Sequence, residues 1–314
     1  MGLPTRNDVT LVDPVLTNLS LGYKNERFLW DKIAPSSGQK THTGTYPIYT
    51  RDYWFTRPTG VERAATGPYT RIGYGVGSGT YSTNEIGFEH PVGDVTKNSS
   101  QLPEDLELTG TNFLTHKMQI ELEKRVAAAC FITGVWGTST TLTGTDQWSD
   151  YDNSDPIANA NTAKDAIRRA TGTKPNTLFI GETGWQKLKE HPDIINKYKY
   201  SSAGTMTTDL VAAVLEIDEI VVGDSIENTA AEGQTFAGAD IWTDNGLFLV
   251  RNQPALGVAN GAYTFMWDEI GNIPWAMQRY NEDQTRALIL RILTHVDVKI
   301  ISTVHGYMYL DLVA

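Results

Sequence analysis

The chain has 314 residues, 40% of them hydrophobic, which is enough to bury a sizeable core in one or two domains and excludes a disordered chain. Its 37 acidic residues outnumber the 26 basic ones, and the formal net charge of −11 argues against a protein that grips phosphate backbones. The single cysteine, Cys130, excludes an intrachain disulfide and a cysteine-rich zinc site and suits a reducing compartment. No secretory or membrane-spanning apolar run is present, so we expect neither export nor a membrane span.

The first third of the chain predicts two extended segments. Residues 1–40 carry isolated apolar anchors between Pro, Gly, Asn and charged residues, which is typical of an extended arm. Residues 41–96 contain nine Gly, six Tyr and four Arg, but no Lys and only seven aliphatic residues, and cannot close a core. Alternation around 46–50 and 73–79 predicts two long antiparallel strands. A lone hairpin is marginally stable in water, so its side chains need a further surface, on the same chain or on a neighbouring one.

A long helix follows this hairpin. Pro103 suits the first turn of a helix, and Glu104 and Asp105 face the positive end of its dipole. An i, i+4 apolar stripe then runs to about Phe131, which predicts a rod of roughly 43 Å. That is long for an ordinary domain, where helices average about eleven or twelve residues. The stripe consists of Leu114, Met118, Leu122 and Val126.

The second half of the chain predicts an α/β layer and a terminal hairpin. Asp155, Pro156 and Gly172 mark the cap, the first position and the end of a helix. Asp244-Asn245-Gly246 predicts a hairpin between 240–242 and 247–250. The other predicted elements are strands at 178–180, 220–222 and 263–267, helices at 183–190 and 208–215, and one long hairpin over 275–280 and 288–304.

The chain lacks the motifs of common catalytic and cofactor sites. The chain contains no Gly-Lys dipeptide and therefore no P-loop. The glycines of 73–79 do not fit the dinucleotide-binding fingerprint, and they do not place Ser78 in a nucleophile elbow. The six histidines lack zinc spacing, and the acidic run 150–155 lacks the Gly and Glu of a calcium loop. Cys130 lies among alanines and is interpreted as a core residue. We expect no catalytic residue, cofactor or metal site.

Local segments along the chain add a family resemblance. They are Asp13-Pro14-Val15-Leu16-Thr17-Asn18-Leu19-Ser20-Leu21-Gly22-Tyr23, Tyr46-Pro47-Ile48-Tyr49, Asn176-Thr177-Leu178-Phe179-Ile180-Gly181, His191-Pro192-Asp193 and Asp297-Val298-Lys299-Ile300-Ile301. Together with the order of the elements (arm, coreless hairpin, long helix, α/β layer, terminal hairpin), they resemble the major capsid proteins of tailed bacteriophages, which have the Hong Kong 97-type fold. The resemblance covers nearly the whole chain and depends on this order more than on any one segment.

The resemblance implies an α+β fold of the Hong Kong 97 type, in which a long spine helix accompanies a peripheral β-sheet and a separate axial domain is α/β. The implied division is an N-terminal arm at 1–40, an extended β-hairpin loop at 41–96, a peripheral domain at 97–153 with its spine helix at 103–131, an axial α/β domain at 154–275, return strands of the peripheral domain at 276–303 and a C-terminal segment at 304–314.

The resemblance also implies a structural function without catalysis. It predicts a major capsid protein that self-assembles into pentamers and hexamers of an icosahedral phage head enclosing double-stranded DNA. We expect the extended loop to lie on a neighbouring subunit, where aromatic and arginine side chains find apolar surface and carboxylates. Some such capsids cross-link a loop lysine to an asparagine, but 41–96 contains no lysine, so we expect non-covalent contacts. The candidate contact residues are Arg51, Trp54, Phe55, Arg57, Arg63, Arg71 and Tyr74.

Partners and location follow from the same resemblance. Many relatives begin with a scaffolding segment, whereas this chain starts almost at the arm, so we expect a separate scaffolding protein, a portal protein and, optionally, a decoration protein. Packaged DNA is expected to make only non-specific contacts, and the protein is expected in the virion after assembly in the host cytoplasm. Two alternatives remain open: an encapsulin-like compartment around protein cargo and, more remotely, a carbohydrate-active protein whose eight Trp and fourteen Tyr stack on sugars.

Overall fold

The structure is a computed structural model that describes residues 28–63, 65–93, 106–198, 207–231, 233–267 and 274–314. The predicted arm up to residue 27 and the predicted helix start at 103–105 lie outside the described residues. The helices are α1 Trp30–Ile33, α2 Arg51–Phe55, α3 Leu106–Cys130, α4 Pro156–Thr171, α5 Glu182–Glu190, α6 Pro192–Tyr198 and α7 Thr208–Leu215, with short 3-10 turns at Gly144–Asp146 and Thr303–His305.

The strands form two large sheets and two small ones. They are β1 Ser36–Gln39, β2 Thr43–Tyr49, β3 Val76–Ser82, β4 Asn84–Gly93, β5 Thr138–Thr141, β6 Thr177–Gly181, β7 Glu219–Gly223, β8 Ile226–Asn228, β9 Gly238–Asp240, β10 Gly246–Leu249, β11 Ala262–Trp267, β12 Ala276–Glu282, β13 Ala287–Ile300 and β14 Gly306–Leu310.

The peripheral sheet consists of β1, β4, β11, β12 and β13 and is organised around β13. One edge of β13 pairs antiparallel with β4, while the other edge pairs with β12 and then with β11. β1 completes the sheet in parallel with β11. The predicted terminal hairpin is confirmed as β12 and β13, but β13 ends at Ile300 because the next two residues donate backbone hydrogen bonds to the Gly261 carbonyl.

The long helix α3 packs against β4 and β13 of the peripheral sheet. Its predicted apolar stripe is confirmed, because Leu114, Met118, Leu122 and Val126 are each at most 1% exposed. They join one core with residues of both large sheets. The 25 described residues of α3 span about 37 Å, so one rod runs beside both halves of the molecule.

The axial sheet has the strand order β5-β14-β10-β6-β7. Every residue of β6, β10 and β14 is buried. Successive residues point to opposite faces of a strand, and Phe179 accordingly joins the core around α3, while Leu178 and Ile180 join a second core with α4, α5 and α7. Both faces of this sheet are therefore covered, which explains the uninterrupted apolar strands.

The predicted caps of α4 are confirmed. The Asp155 carboxylate accepts a hydrogen bond from the Ala158 N–H at 2.8 Å, and Pro156 occupies the first helical position. Gly172 ends the helix with φ 76°, a left-handed conformation that costs glycine little. These signals fixed the start and the end of α4 because each acts through neighbouring residues alone.

The predicted hairpin between 240–242 and 247–250 is wrong. β9 pairs instead with β8, and β10 pairs with β6 and β14. The turn residues serve tertiary contacts: Asn245 Oδ1 accepts from the Asp311 N–H at 3.1 Å, and Asp244 Oδ2 accepts from the Val313 N–H at 3.3 Å. Trp242 is buried in the core around α3. The segments before and after the turn therefore do not pair with each other.

Both large sheets join segments that the predicted division separates. β1 was assigned to the arm, β4 to the extended loop and β11 to the axial domain, yet all three lie in the peripheral sheet. β5 and β14, assigned to the peripheral domain and the C-terminal segment, lie in the axial sheet. These pairings connect residues far apart in the chain, and local composition carries no signal for them. The division into domains stays a prediction.

Glu123 on α3 ties three parts of the chain together. Its carboxylate is fully buried and accepts hydrogen bonds from the backbone N–H groups of Leu29 and Trp30, from the Ser225 hydroxyl and from the Trp242 indole, at distances of 2.6 to 3.1 Å. Burial raises the pKa of Glu123, and the hydrogen bonds oppose that shift. The sequence analysis gave this residue no role, since its partners lie about a hundred residues away on either side.

Glu123→Gln should lower the free energy of unfolding by about 2–4 kcal/mol, because the amide NH2 faces buried donors and leaves at least one of them unpaired. Urea or guanidinium unfolding measures the change. Glu121→Gln on the same helix is the matched control: Glu121 forms a partly exposed i, i+4 ion pair with Arg125, and its loss should cost no more than about 0.5 kcal/mol. Equal, small effects for the two variants would contradict the role of Glu123.

Candidate inter-subunit surface

The hairpin of β2 and β3 is a separate two-stranded sheet that extends from the peripheral sheet. Its antiparallel register runs from Thr43 opposite Ser82 to Tyr49 opposite Val76. The predicted pair of antiparallel strands is confirmed, although the second strand begins only at residue 76. We call β2 and β3 the root of the extended loop and residues 50–75 its tip.

Glycine and tyrosine lie opposite each other across the root. A Cβ atom at Gly44 would collide with the Tyr81 ring, and one at Gly79 would collide with the Tyr46 ring. Both rings stack on Phe265 of β11, with centroid distances of 4.7 Å for Tyr81 and 5.4 Å for Tyr46. The glycines leave the space in which each ring lies flat, so the unusual composition fastens the root to its own peripheral sheet.

The loop touches its own chain at two further places. The Tyr49 ring lies 3.0 Å from the position that a Cβ would take at Gly257, and the Phe55 ring lies 3.3 Å from that position at Gly172. The sequence left open whether the hairpin packs on its own chain or on a neighbouring one. The root and the base of the tip pack on their own chain.

The tip buries none of its described side chains. Single exposed apolar residues are normal in proteins, but a contiguous apolar patch on a soluble protein marks an interaction site. The seven largest apolar side chains of the tip are each at least 51% exposed: Tyr53, Trp54, Phe55, Val61, Tyr69, Ile72 and Tyr74. The tip therefore presents an apolar surface that its own chain leaves open.

An aromatic concavity of about 470 Å³ opens on the tip. The Trp54 ring stands edge-on to Tyr49 at a centroid distance of 6.2 Å and lies 6.4 Å from Tyr74. Such a cavity suits an apolar side chain, because ring faces and edges surround it and little polar surface lines it. Its lining residues are Tyr49, Tyr53, Trp54, Ile72, Gly73, Tyr74 and Gly257.

The four arginines of the tip differ in their surroundings. Arg63 lies over the Tyr69 ring at 4.3 Å and donates to the Gly67 carbonyl at 3.1 Å. Arg51, Arg57 and Arg71 are exposed, and none of them forms an ion pair with a described residue. Three cations beside an apolar patch suit an acidic and apolar partner surface.

One constellation resembles a serine nucleophile site but has the wrong proton arrangement. Ser154 Oγ lies 3.0 Å from His191 Nε2, and Asp193 Oδ2 lies 3.6 Å from His191 Nδ1. However, the Asp193 N–H donates to Nδ1, and the Ser154 hydroxyl donates to the Asp150 carbonyl at 2.6 Å. The proton is therefore on Nε2, which donates to Ser154 and cannot accept its proton. These residues close a turn and do not activate a nucleophile.

The described residues also show no reactive thiol and no cluster of metal ligands. Burial raises the pKa of the Cys130 thiol to about 12, so the sulfur stays protonated and unreactive. Among these residues, no group of three or more His, Cys, Asp or Glu side chains could hold a metal ion. Of the helices the structure describes, none has the length and apolar character needed to cross a bilayer.

Comparison with known proteins assigns the family. A family model for phage major capsid protein E matches residues 135–249. The major capsid protein of Burkholderia phage BcepMu is 32% identical over 238 residues, which are 75% of each chain. The chain belongs to the phage major capsid proteins. The major capsid protein of Pseudomonas phage JBD67 is 25% identical over 248 residues, which are 78% of each chain.

Solved structures place this capsid protein in the Hong Kong 97-type fold, as the family resemblance implied. A phage-related protein of Bordetella bronchiseptica matches with a TM-score of 0.75 at 20% identity, covering 97% of this chain and 98% of the other. The cyanophage P-SCSP1u capsid matches with a TM-score of 0.61 at 12% identity, over 99% and 93% of the chains. A virus-like particle from Pyrococcus furiosus matches at 0.54 and 8%, over 94% and 95%.

The structure of the capsid protein places all seven predicted contact residues on the exposed tip. Arg51, Trp54 and Phe55 lie on α2, but of these three only Trp54 lines the aromatic cavity, which Tyr74 also lines. Arg57 and Arg71 are not part of that cavity lining, and Arg63 is occupied by Tyr69. Contact of these residues with another subunit stays a proposal.

Sequence reasoning missed Phe265 and Gly257, the body residues on which the loop rests. Phe265 lies in an apolar strand with no local sign that two tyrosines cover it. The sequence does show glycines and tyrosines in and around both predicted strands. Pairing these strands as a hairpin places Tyr46 and Tyr81 opposite glycines, and this was the signal from which the root could have been predicted.

Gly79→Ala should loosen the root by about 1–3 kcal/mol, because the new methyl group displaces the Tyr46 ring from Phe265. Gly77→Ala on the same strand is the matched control, since a Cβ there meets its nearest atom at an ordinary 3.6 Å. Hydrogen exchange measured by mass spectrometry over residues 43–49 should accelerate roughly fivefold or more in Gly79→Ala and little in Gly77→Ala. Equal exchange in the two variants would contradict the ring-over-glycine contact.

Proposed function

We propose that this capsid protein self-assembles into the pentamers and hexamers of an icosahedral phage head that encloses double-stranded DNA, and that non-covalent contacts hold the head. The exposed tip is the observation that carries the proposal. An aromatic side chain buries about 150–250 Å² when covered, and each Å² of apolar surface contributes about 25 cal/mol. Covering the tip with a second copy therefore yields stabilisation on the order of several kcal/mol per contact.

Symmetry multiplies this contact. In a closed shell each subunit offers its tip to one copy and receives the tip of another, so one modest interface recurs around every ring. A subunit that loosens at one contact stays held by the others, which makes the assembled state more durable than any single pair. This supports a head without covalent links, as does the absence of lysine between residues 41 and 96.

The proposal includes the partners that the family resemblance implies: a separate scaffolding protein, a portal protein and, optionally, a decoration protein. Assembly takes place in the host cytoplasm, and the protein then stays in the virion. The net charge of −11 supports non-specific contact with packaged DNA, because an acidic shell does not hold a polyanion tightly. We propose a purely structural role without enzymatic activity.

An encapsulin-like compartment is the second candidate. At 8% identity, the likeness to the Pyrococcus furiosus virus-like particle shows the shared fold alone and is compatible with either candidate. The curated phage relatives at 32% and 25% identity favour a phage head. The contents of purified particles separate the two: double-stranded DNA supports the head, and a defined protein cargo without DNA supports the compartment.

The assembly proposal predicts that covering the tip drives shell formation. The protein is co-expressed with the other head genes of its phage, and particles are counted by negative-stain microscopy after sedimentation. The wild type should form uniform shells, whereas Trp54→Ser/Phe55→Ser/Tyr74→Ser should lose more than about tenfold of the particles and leave smaller soluble species. The unfolding midpoint of the unassembled variant should stay near that of the wild type, since these side chains are at least 51% exposed.

Ile132→Ser/Ile195→Ser provides the control, because both residues are exposed apolar side chains outside the tip. Normal shells from the tip variant would refute the proposal. Denaturing gels of the wild-type particles should show one band at the 34.7 kDa of the chain. A ladder of multimers would show covalent links instead.

A further inference from the structure

The axial half of the chain contains a long acidic stretch. Between residues 200 and 250 there are nine Asp and Glu residues and no Lys or Arg, although the chain has 26 basic residues. The small antiparallel hairpin of β8 and β9 lies within this stretch. We call the described residues 224–231 and 233–241 the acidic finger.

One face of the acidic finger lies on the spine helix α3. Glu227 Oε2 accepts from Lys124 Nζ at 2.7 Å, and Glu227 is opposite Ala239 in the hairpin register. At the base of the finger, Ser225 donates to the buried Glu123 carboxylate at 3.1 Å. The finger therefore has a fixed position beside the C-terminal half of α3.

The other face of the acidic finger is open. Ile226 and Asp240 are opposite each other in the register, so they lie side by side on the face that Glu227 leaves. Ile226 is 54% exposed and Phe236 is 64% exposed, and Asp240 is also exposed. Two apolar side chains and one acidic side chain thus lie on the outer surface of the finger.

The finger is held in shape before any partner arrives. Asn228 Oδ1 accepts from the backbone N–H groups of Ala230 and Ala237 at 3.1 and 3.0 Å, and the Thr229 N–H donates to the Ala237 carbonyl at 2.9 Å. The Phe236 ring lies over Gly238, 3.0 Å from where a Cβ would be. A partner therefore meets a preformed surface and loses little entropy in ordering it.

We propose that the open face of the acidic finger receives the extended-loop tip of a second copy of this chain. The surfaces complement each other in both respects: Arg51 and Arg71 of the tip match Asp240, and the aromatic cavity around Trp54 matches the apolar side chains of the finger. In its own chain the tip rests near Gly172 and Gly257, and both surfaces stay exposed there. This proposal rests on the proposed self-assembly and names the surface that the tip meets.

Charge reversal tests the pairing in the assembly assay described above. Arg51→Glu/Arg71→Glu in the tip and Asp240→Arg in the finger should each lower the particle yield by more than about tenfold, since like charges then face each other. Combining the three substitutions in one chain restores opposite charges at the contact and should return most of the yield. The matched control combines the tip reversal with Asp146→Arg, an exposed acidic residue outside the finger, and should not restore assembly.

The outcomes separate this proposal from the proposed function. Wild-type shells together with a finger reversal that rescues no better than the control would overturn the docking surface and leave self-assembly standing. Absence of shells from the wild type would overturn both. If a reversal variant fails to fold, Trp54→Cys/Ile226→Cys replaces it: oxidised particles should give disulfide-linked multimers on non-reducing gels, and monomers alone would overturn the docking surface.

Discussion

The tip of the extended loop cannot bury its own apolar side chains, and this constraint shapes the rest of the account. No described residue between 50 and 75 is buried, although aromatic residues recur through this segment. A protein of this size can normally turn such residues toward a core. Here the strands run outward, and the two cores form elsewhere, around α3 and around the helices of the axial sheet. The chain therefore buries two cores of its own but leaves the apolar side chains of the tip exposed.

Rigid support makes that surface useful. The root is fastened by two tyrosines that stack on Phe265, and the acidic finger is fastened through Ser225 and Trp242 to Glu123. The finger is thus tied to the core beside the spine helix, to which Trp242 belongs, and the root is tied to β11 of the peripheral sheet through Phe265. When a shell repeats one contact many times, small errors in geometry accumulate, so preformed projections favour a regular assembly over irregular association. The buried carboxylate and the flat tyrosine rings serve the same purpose by different means.

Local signals in the sequence predicted much of the fold. The stripe from Leu114 to Val126, the caps at Asp155 and Gly172, and the terminal hairpin all depend on neighbours within a few residues or one register. The composition of residues 41–96 indicated that this segment has no core of its own. All seven contact residues predicted from it lie on the exposed tip.

Long-range contacts could not be predicted in the same way. Glu123 is one acidic residue among several on its helix, and its donors come from remote segments. The turn at Asp244-Asn245-Gly246 has hairpin chemistry but bonds to the chain end instead. The resemblance to capsid proteins was needed to interpret the order of elements, and it carried no information on which side chains the tip meets.

Protease access to the tip in free and assembled subunits tests the central claim most directly. Trypsin recognises arginine, and Arg51, Arg63 and Arg71 are exposed on a segment without a core of its own. Cleavage after these residues, identified by mass spectrometry, should be rapid in unassembled subunits and at least about tenfold slower in purified particles, because a second copy covers the tip. Equal cleavage rates in both states would contradict an extended loop whose apolar surface is buried by assembly.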